Sequence, residues 1–339
     1  MTGPARPPLT VLLSLSPPDG TTRFVDQVTE GLPDEVRLRY FTWSTALLGR
    51  YDLFHLHWPE HLLRRARGRL PLEPLLLALL LLRCRLLGRP VVRTLHNVEP
   101  HDEAAGALDR RLLQACDRAT TLFTRLNPTT AVPAGGQAVT VLHGHYRDRF
   151  AALPHPAPEP GRVLYFGLIK PYKGVDELLR LFAAHAGADH RLRVVGRPAD
   201  AAWRGLVERA AAADPRITAL LAFVDDATLV EEVGRSRLVV LPYREMHNSG
   251  AVLVALSLDR PVVAPRSAAN TALEQEVGPG WLHLYDGDLS YGTVRSALAA
   301  PLPAEPPRLS GRDWPVVGEQ LHAAYLLARD LRAGRRRAA

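Results

Sequence analysis

The chain has 339 residues, which is long enough for two domains of ordinary size. Its hydrophobic content of 47% and charged content of 23% are globular values and exclude a mainly disordered protein. The formal net charge of +7 favours an anionic partner, such as a phosphorylated ligand or an anionic membrane surface. Nucleic acid is a poor candidate, because the arginines are scattered and no helix-turn-helix, zinc-finger or RNA-binding motif is evident. Cys84 and Cys116 are the only cysteines, so neither a disulfide framework nor a zinc cluster can be built.

The first apolar run, residues 9–15, lacks the flanks of a signal peptide, since Pro17, Pro18, Asp19 and Gly20 follow where small residues would be needed. We therefore interpret it as a first buried strand. No segment reaches the length of a membrane span. Together with the low cysteine count, this predicts a cytoplasmic protein.

Strand and helix patterns alternate along the whole chain. In the first half we predict strands at residues 9–15, 36–40, 51–57, 90–97, 120–125 and 139–142, with helices at 23–31 and 104–117. In the second half we predict strands at 163–166, 191–195, 217–223, 238–241 and 261–265, with helices at 174–182, 203–213, 227–236 and 251–257. This alternation predicts an α/β protein with two doubly wound parallel sheets.

A proline-rich stretch at residues 151–161 is the clearest domain boundary in the sequence. We predict an N-terminal Rossmann-like domain at residues 1–155 and a C-terminal one at 162–310. A final amphipathic helix within residues 311–339 is predicted to pack back on the first domain.

Residues 62–89 combine arginines with a leucine-rich run and predict a helix that is apolar nearly all round. One interpretation is a fully buried core helix. The other is an interfacial helix that dips into a membrane whose anionic lipids meet the arginines. The sequence leaves both open.

Lys170 and Lys173 are the only lysines, against 40 arginines, so this position specifically prefers ammonium groups. They lie between an apolar strand at residues 163–166 and a helix that begins at Gly174. Such a turn faces the ligand crevice of an α/β sheet, and a lysine is a compact point charge suited to phosphate. Two solvated surface lysines are the alternative.

A second anion-binding feature is predicted at Asn248, Ser249 and Gly250, directly before a helix whose first N–H groups are available to an anion. Together with the two lysines it would form a diphosphate cradle. Arg197 and Tyr243 end neighbouring strands and are candidates to line the same crevice.

The first half places His57, Glu60, His96, Asp102 and Glu103 at strand ends. His55 and His57 lack a third ligand at a diagnostic spacing, which disfavours a metal site. Acid/base chemistry by a carboxylate oriented by a histidine is the better interpretation.

Residues 166–174, Phe-Gly-Leu-Ile-Lys-Pro-Tyr-Lys-Gly, resemble the donor-diphosphate loop of the large retaining family of GT-B glycosyltransferases. Where that family carries a pair of glutamates, this sequence has Met246 and Val254. A closer likeness is to glycosyltransferase family 94, carried by unusual strings from about residue 9 to 281: Leu-His-Trp-Pro-Glu at 56–60, Arg-Thr-Leu-His-Asn-Val-Glu-Pro-His-Asp at 93–102, His-Gly-His-Tyr-Arg at 143–147, His-Asn-Ser-Gly at 247–250, Ala-Leu-Ser-Leu-Asp-Arg-Pro at 255–261 and Glu-Val-Gly-Pro-Gly-Trp at 276–281.

This resemblance implies the GT-B fold, with two Rossmann-like domains facing a central cleft. It also implies GDP-mannose as donor, inversion at the anomeric carbon, and a polyprenyl-diphosphate-linked oligosaccharide acceptor at the cytoplasmic membrane face, as in exopolysaccharide or glycolipid assembly. We expect a metal-independent enzyme without a cofactor and with no nucleic-acid partner.

The expected roles are Asp102 as base with Glu60 second, and His96 as a sugar-binding or orienting group. The residues expected at the donor are Lys170, Lys173, Tyr243, Asn248, Ser249, Gly250 and Arg197. Two alternatives remain, a retaining transferase that uses a UDP-sugar and a non-catalytic binder of sugar nucleotides or glycolipids.

Overall fold

The computed structural model describes residues 8–19, 23–63, 72–96, 106–185, 189–244, 246 and 250–337. The chain divides into two compact units. The first comprises Met1–Gly144 together with Gly311–Ala339, and the second comprises His145–Ser310. The second unit thus begins ahead of the proline-rich stretch, because Tyr146 and Phe150 belong to its hydrophobic core.

The first unit contains a six-stranded parallel sheet in the order β2-β1-β3-β4-β5-β6. Its strands are β1 (Leu9–Leu13), β2 (Val36–Arg39), β3 (Leu53–Leu56), β4 (Val91–Leu95), β5 (Leu122–Arg125) and β6 (Ala138–Thr140). The helices of its N-terminal part are α1 (Arg23–Glu30), α2 (Trp43–Leu48), α3 (Glu73–Leu87) and α4 (Ala107–Ala119), and a 3-10 turn spans Pro59–Leu63.

The second unit also contains a six-stranded parallel sheet, in the order β12-β11-β10-β7-β8-β9. Its strands are β7 (Arg162–Phe166), β8 (Arg191–Val195), β9 (Ile217–Leu220), β10 (Leu238–Val240), β11 (Val262–Pro265) and β12 (Leu282–Tyr285). Its helices are α5 (Arg147–Phe150), α6 (Val175–Ala184), α7 (Ala201–Ala213), α8 (Asp226–Arg235), α9 (Gly250–Ser257), α10 (Ala268–Val277) and α11 (Tyr291–Ala299), with a 3-10 turn at Pro171–Lys173.

Local capping fixes where several of these helices begin. The side chains of Asp200, Asp225, Ser267 and Ser290 each accept a hydrogen bond from a backbone N–H in the first turn of the helix that follows. Such caps satisfy donors that the helix itself cannot pair, and each contributes about 1 kcal/mol. The prediction of an α/β protein with two doubly wound parallel sheets is confirmed.

The last helix, α12 (Trp314–Arg337), follows a 3-10 turn at Ser310–Arg312 and belongs to the first unit. Trp314, Val317, Leu321 and Tyr325 are buried in that unit's core, at the spacing expected for one face of a helix. The start of α12 packs closely against Gly144, because a Cβ added to this glycine would lie only 2.4 Å from the Trp314 ring.

Helix α3 is apolar on two opposite faces. Its inner face buries Leu77, Leu80, Leu81 and Cys84 in a core shared with β3 and β4. The opposite face leaves large side chains in solvent: Leu75, Leu79, Leu82 and Leu86 are 58%, 44%, 50% and 70% exposed. The interpretation of a fully buried core helix is therefore wrong for this outer face.

Among the residues described, no helix combines the length and the apolar character that crossing a membrane requires.

Candidate functional site

A strand, a turn and a helix hold the two lysines, in the order that the sequence predicts. Strand β7 ends at Phe166, the 3-10 turn Pro171–Lys173 follows, and Gly174 joins this turn to α6. Gly174 has a φ of 67°, in the left-handed region that favours glycine. A Cβ there would lie 1.9 Å from the carbonyl oxygen of Pro242, so this turn is pressed against the segment that follows β10.

The lysine turn lies at the topological switch point of the second sheet. Strands β7 and β10 are neighbours, and the strand order runs to β8 and β9 on one side and to β11 and β12 on the other. Doubly wound sheets bind their ligands beyond the carboxyl ends of the strands at this point. The chain segments after β7 and β10 both lie there.

Lys173 meets Tyr243 at this point. Its Nζ lies 3.5 Å from the centroid of the Tyr243 ring and 5.1 Å from that of Tyr172. Burial, with a smaller contribution from the charge of Lys170, lowers the pKa of Lys173 to about 7. The aromatic faces attract the ammonium, but they do not neutralise it. The group is thus a partly desolvated cation whose charge an anionic ligand would stabilise.

Arg244 ties the lysine turn to the end of β10. Its backbone N–H donates to the carbonyl of Tyr172 at 2.8 Å, and its guanidinium donates to the carbonyl of Pro171. The same guanidinium bonds both carboxylate oxygens of Asp176, at 2.7 and 2.8 Å. Arg244 was not among the predicted site residues, although its place four residues after β10 was a usable signal.

The remaining predicted donor residues have mixed outcomes. Lys170 is partly buried and stands directly before the 3-10 turn, and Gly250 is the first residue of α9. Arg197 is exposed, and its carbonyl accepts a hydrogen bond from Ile169 at 3.0 Å, which brings its backbone to the start of the lysine turn. Asn248 and Ser249 lie outside the described residues.

In the first unit, histidines follow two neighbouring strands. His57 follows β3 and His96 follows β4, and their Nδ1 and Nε2 atoms are 2.9 Å apart. Ser14, which follows β1, donates its hydroxyl to the His57 carbonyl at 2.8 Å and accepts from the His57 N–H at 2.7 Å. Strands β1 and β3 flank the switch point of this sheet, so the histidine pair lies where such sheets bind ligands.

Trp58 covers this histidine pair and was missed as a candidate. Its ring stacks on His96 with 3.9 Å between centroids and an interplanar angle of 19°. Its φ is 41°, a left-handed conformation that is costly for a bulky residue. Strain of this kind collects at ligand sites. The signal was its place between His57 and the strand-ending Pro59.

These histidines are neutral at pH 7. Burial lowers the pKa of His57 to about 3 and that of His143, a third histidine of the first unit near His96, to about 4. Burial also holds the pKa of His96 well below its ordinary value, and protonation of the neighbouring His57, His143 or His61 would lower it further. A neutral imidazole can orient a hydroxyl or a carboxylate, but it brings no positive charge to the site.

The predicted bases have different positions. Glu60 lies partly buried in the 3-10 turn directly after Trp58 and Pro59, and its negative charge acts on nearby Arg93. Asp102 lies outside the described residues, as does Glu103. In the described ranges, no group of three or more histidines, cysteines or carboxylates is placed to hold a metal ion.

Known proteins resemble this chain at two levels. The family profile described as "Glycosyl transferases group 1" matches residues 160–288. Over 332 residues the chain is 48% identical to a GDP-mannose:glycolipid 4-beta-D-mannosyltransferase of Xanthomonas campestris pv. campestris, a comparison that covers 96% of this chain and 94% of the relative.

Solved structures share the fold at low sequence identity. AviGT4, a glycosyltransferase involved in avilamycin A biosynthesis, has a TM-score of 0.61 and 15% identity, over 96% of this chain and 99% of that one. Anabaena HepE, solved with UDP-glucose, has a TM-score of 0.60 and 13% identity, over 97% and 99% of the two chains.

Proposed function

Because the chain belongs to the glycosyltransferase family that includes the GDP-mannose:glycolipid 4-beta-D-mannosyltransferase of Xanthomonas campestris, we propose that it transfers mannose from GDP-mannose to a glycolipid. The observation that carries the proposal is the 48% identity over 96% of the chain. The buried cation at the switch point of the second sheet supports it, because a sugar nucleotide offers a diphosphate to such a group.

In this proposal the second unit holds the donor. Lys170, Lys173 and the backbone N–H groups of Ser249 and Gly250 bind the diphosphate, while Tyr243, Asn248 and Arg197 complete the donor site. The helix dipole of α9 adds attraction for the anion at its first residue. When the bond between the anomeric carbon and GDP breaks, these groups stabilise the negative charge that develops on the leaving diphosphate.

The first unit supplies the base in this proposal. The carboxylate of Asp102 takes the proton of the acceptor hydroxyl as its oxygen bonds to the anomeric carbon, with Glu60 the second candidate. His96 orients the acceptor sugar or the base, a role that its neutral imidazole and its hydrogen bond to His57 suit. Direct displacement inverts the configuration at that carbon, so a β-mannoside is formed from an α-linked donor.

We further propose that the acceptor is a polyprenyl-diphosphate-linked oligosaccharide and that the protein meets it as a peripheral protein on an anionic membrane surface, in exopolysaccharide or glycolipid assembly. The net charge of +7 supports this location. Because protein cations are proposed to neutralise the diphosphate, we also propose that the reaction needs no metal ion. Turnover should therefore persist in EDTA.

The test is a panel of nucleotide sugars incubated with a glycolipid acceptor and scored by nucleotide release. GDP release from GDP-mannose, and a β-anomeric product by NMR, are expected. Turnover with a UDP-sugar and retention would support the retaining alternative. Binding of GDP-mannose without release, with any acceptor, would support a non-catalytic binder.

Two substitutions test the base. Asp102→Asn should abolish turnover while GDP binding survives, since the change removes a base and leaves the second unit intact. Glu60→Gln is the matched variant, and a larger loss there would move the base to Glu60. Turnover near wild type in both variants would refute a carboxylate base at either position.

A further inference from the structure

A cavity of about 420 Å³ opens in the first unit, beside the C-terminal end of α3. Four arginines line it: Arg85 in the last turn of α3, Arg89 in the segment between α3 and β4, Arg118 on α4 and Arg332 on α12. The other lining residues are apolar side chains and Cys84. No acidic residue lines the part of this cavity that the structure describes. The cavity therefore concentrates positive charge against an apolar wall.

Contacts within the unit hold two of these arginines in place. The guanidinium of Arg332 donates to the backbone carbonyl of Arg85 at 3.0 Å, and the guanidinium of Arg89 stacks 4.1 Å from the centroid of the Tyr51 ring. Arg85 and Arg118 are exposed at the rim. A fixed pair and an exposed pair thus line one cavity and offer a phosphate several donors, since a guanidinium presents its N–H groups in a planar fork.

The exposed leucines of α3 lead to this cavity. Leu75, Leu79, Leu82 and Leu86, which we name the leucine ridge, are spaced by four, three and four residues and so share one face of the helix. Leu82 belongs both to the ridge and to the cavity lining. The 15-residue helix is about 22 Å long at a rise of 1.5 Å per residue, too short to cross a bilayer. Lying flat, it could bring all four leucines to one depth.

We propose that this cavity binds the phosphate headgroup of an anionic membrane phospholipid while the leucine ridge rests among the acyl chains beside it. The inference deepens the peripheral location proposed above by naming the surface and the ligand class. Charge complementarity selects the occupant, because arginines beside an exposed aliphatic helix match an anionic bilayer surface. Protein interfaces are instead enriched in aromatic residues, Met and Arg, and the ridge itself contains none of these.

The test uses the full chain and two kinds of vesicle, pure phosphatidylcholine and an equal mixture of phosphatidylcholine with phosphatidylglycerol. The wild type should sediment with the mixed vesicles and weakly with the neutral ones. Arg85→Gln combined with Arg118→Gln should lower partitioning into mixed vesicles about 25-fold, which corresponds to about fivefold for each arginine near an anionic leaflet. Leu79→Ser combined with Leu82→Ser should lower partitioning into both kinds.

Matched controls come from exposed residues of the second unit. Arg209→Gln combined with Arg295→Gln removes the same charge, and Phe223→Ser removes an apolar side chain that is 61% exposed. Both should bind vesicles as the wild type does. Equal losses in the control and test variants would overturn the proposal, because net charge or apolar content alone would then explain binding.

Two other outcomes would also overturn it. In the first, inorganic phosphate stabilises the wild type against heat but not the arginine variant, and the wild type does not bind vesicles. The cavity would then be a site for a soluble anion. A wild type that dimerises without vesicles, through contacts that the leucine variant loses, would show that the ridge is an interface between copies of the chain.

The test is independent of the transferase proposal. Turnover in detergent with a soluble acceptor should be unchanged in all four variants, since none of these residues lies at the donor turn or the histidine pair. A protein that binds mixed vesicles through Arg85 and Arg118 but transfers no sugar would refute the proposed function and leave this inference standing.

Discussion

The ammonium of Lys173 lies 3.5 Å from the centre of the Tyr243 ring, and this contact joins the turn after β7 to the segment after β10. Two strands that are distant in sequence and adjacent in the sheet thus supply one cation site. Because burial and Lys170 lower the pKa of Lys173 to about 7, the charge of this site depends on pH in the physiological range.

Donor affinity should therefore fall as the pH rises above 7. In the ligand-free protein Lys173 loses its proton in that range, and diphosphate binding must then take up a proton, so GDP affinity should fall by up to tenfold per pH unit. Lys173→Arg keeps its charge and should flatten this dependence, whereas Lys173→Met should bind GDP weakly at every pH. Calorimetric titration of GDP at several pH values measures the slopes. Equal slopes in the wild type and Lys173→Arg would assign the dependence to another group.

Gly174→Ala should destabilise the protein far more than Gly287→Ala. The two glycines have nearly equal φ values of 67° and 68°, so each substitution costs about 1–2 kcal/mol in left-handed conformation. Only Gly174 also has a carbonyl oxygen 1.9 Å from the position of the added Cβ, while nothing lies within 4 Å at Gly287. We expect a total loss of about 2–5 kcal/mol at Gly174, with GDP binding impaired. Urea unfolding measures both variants, and equal losses would contradict the close packing of the turn on Pro242.

The histidine pair should make the protein acid-sensitive. Unfolding returns the pKa of His57 from about 3 to 6.5, so the unfolded state binds an extra proton between these values. The free energy that neutral His57 contributes to folding is therefore fully present above pH 6.5. It is lost as the pH falls towards 3, by about 1.4 kcal/mol per pH unit. Thermal unfolding at several pH values measures the slope of stability against pH, and in His57→Gln this slope should fall by the amount that corresponds to one bound proton. His185→Gln replaces an exposed histidine and is the control. Equal slopes in the two variants would show that His57 is not the source of the acid sensitivity.

Trp58→Gly should be less destabilising than Trp58→Ala. Both variants lose the stacking on His96, but glycine adopts a φ of 41° without the cost that alanine retains. We expect a difference of about 1 kcal/mol in favour of glycine. Denaturant unfolding of the two variants measures it. The opposite order, with alanine more stable, would show that this backbone is not held in the left-handed region.

Sequence patterns were sufficient for the local parts of the site. Apolar β-branched and aromatic residues before Gly167 predict β7, and the spacing of Val175, Leu178 and Phe182 predicts α6, so the strand-turn-helix around the lysines is confirmed. The contact of Lys173 with Tyr243 was not predictable in this way. Alternation of strands and helices does not say that β7 lies beside β10, because strand order is decided by long-range packing.

Helix α3 shows a second limit of prediction from sequence. A helix that is apolar on every side gives no periodic signal, so its sequence cannot say which leucines face the core. Packing against the neighbouring strands decides this, by burying Leu77, Leu80 and Leu81 and leaving Leu75, Leu79 and Leu82 outside. The backbone conformation of Trp58 was unpredictable for a similar reason. Its φ of 41° is set by its place after β3 and not by the conformational preference of tryptophan.

The place of Tyr325 in the first core has a consequence for synthesis on the ribosome. This side chain is fully buried and bonds His55 at 2.8 Å across 270 residues of sequence. The surface of the N-terminal sheet that α12 covers therefore stays uncovered until Tyr325 has been translated, 270 residues after His55. The intervening unit, His145–Ser310, has a core of its own and can fold during that wait.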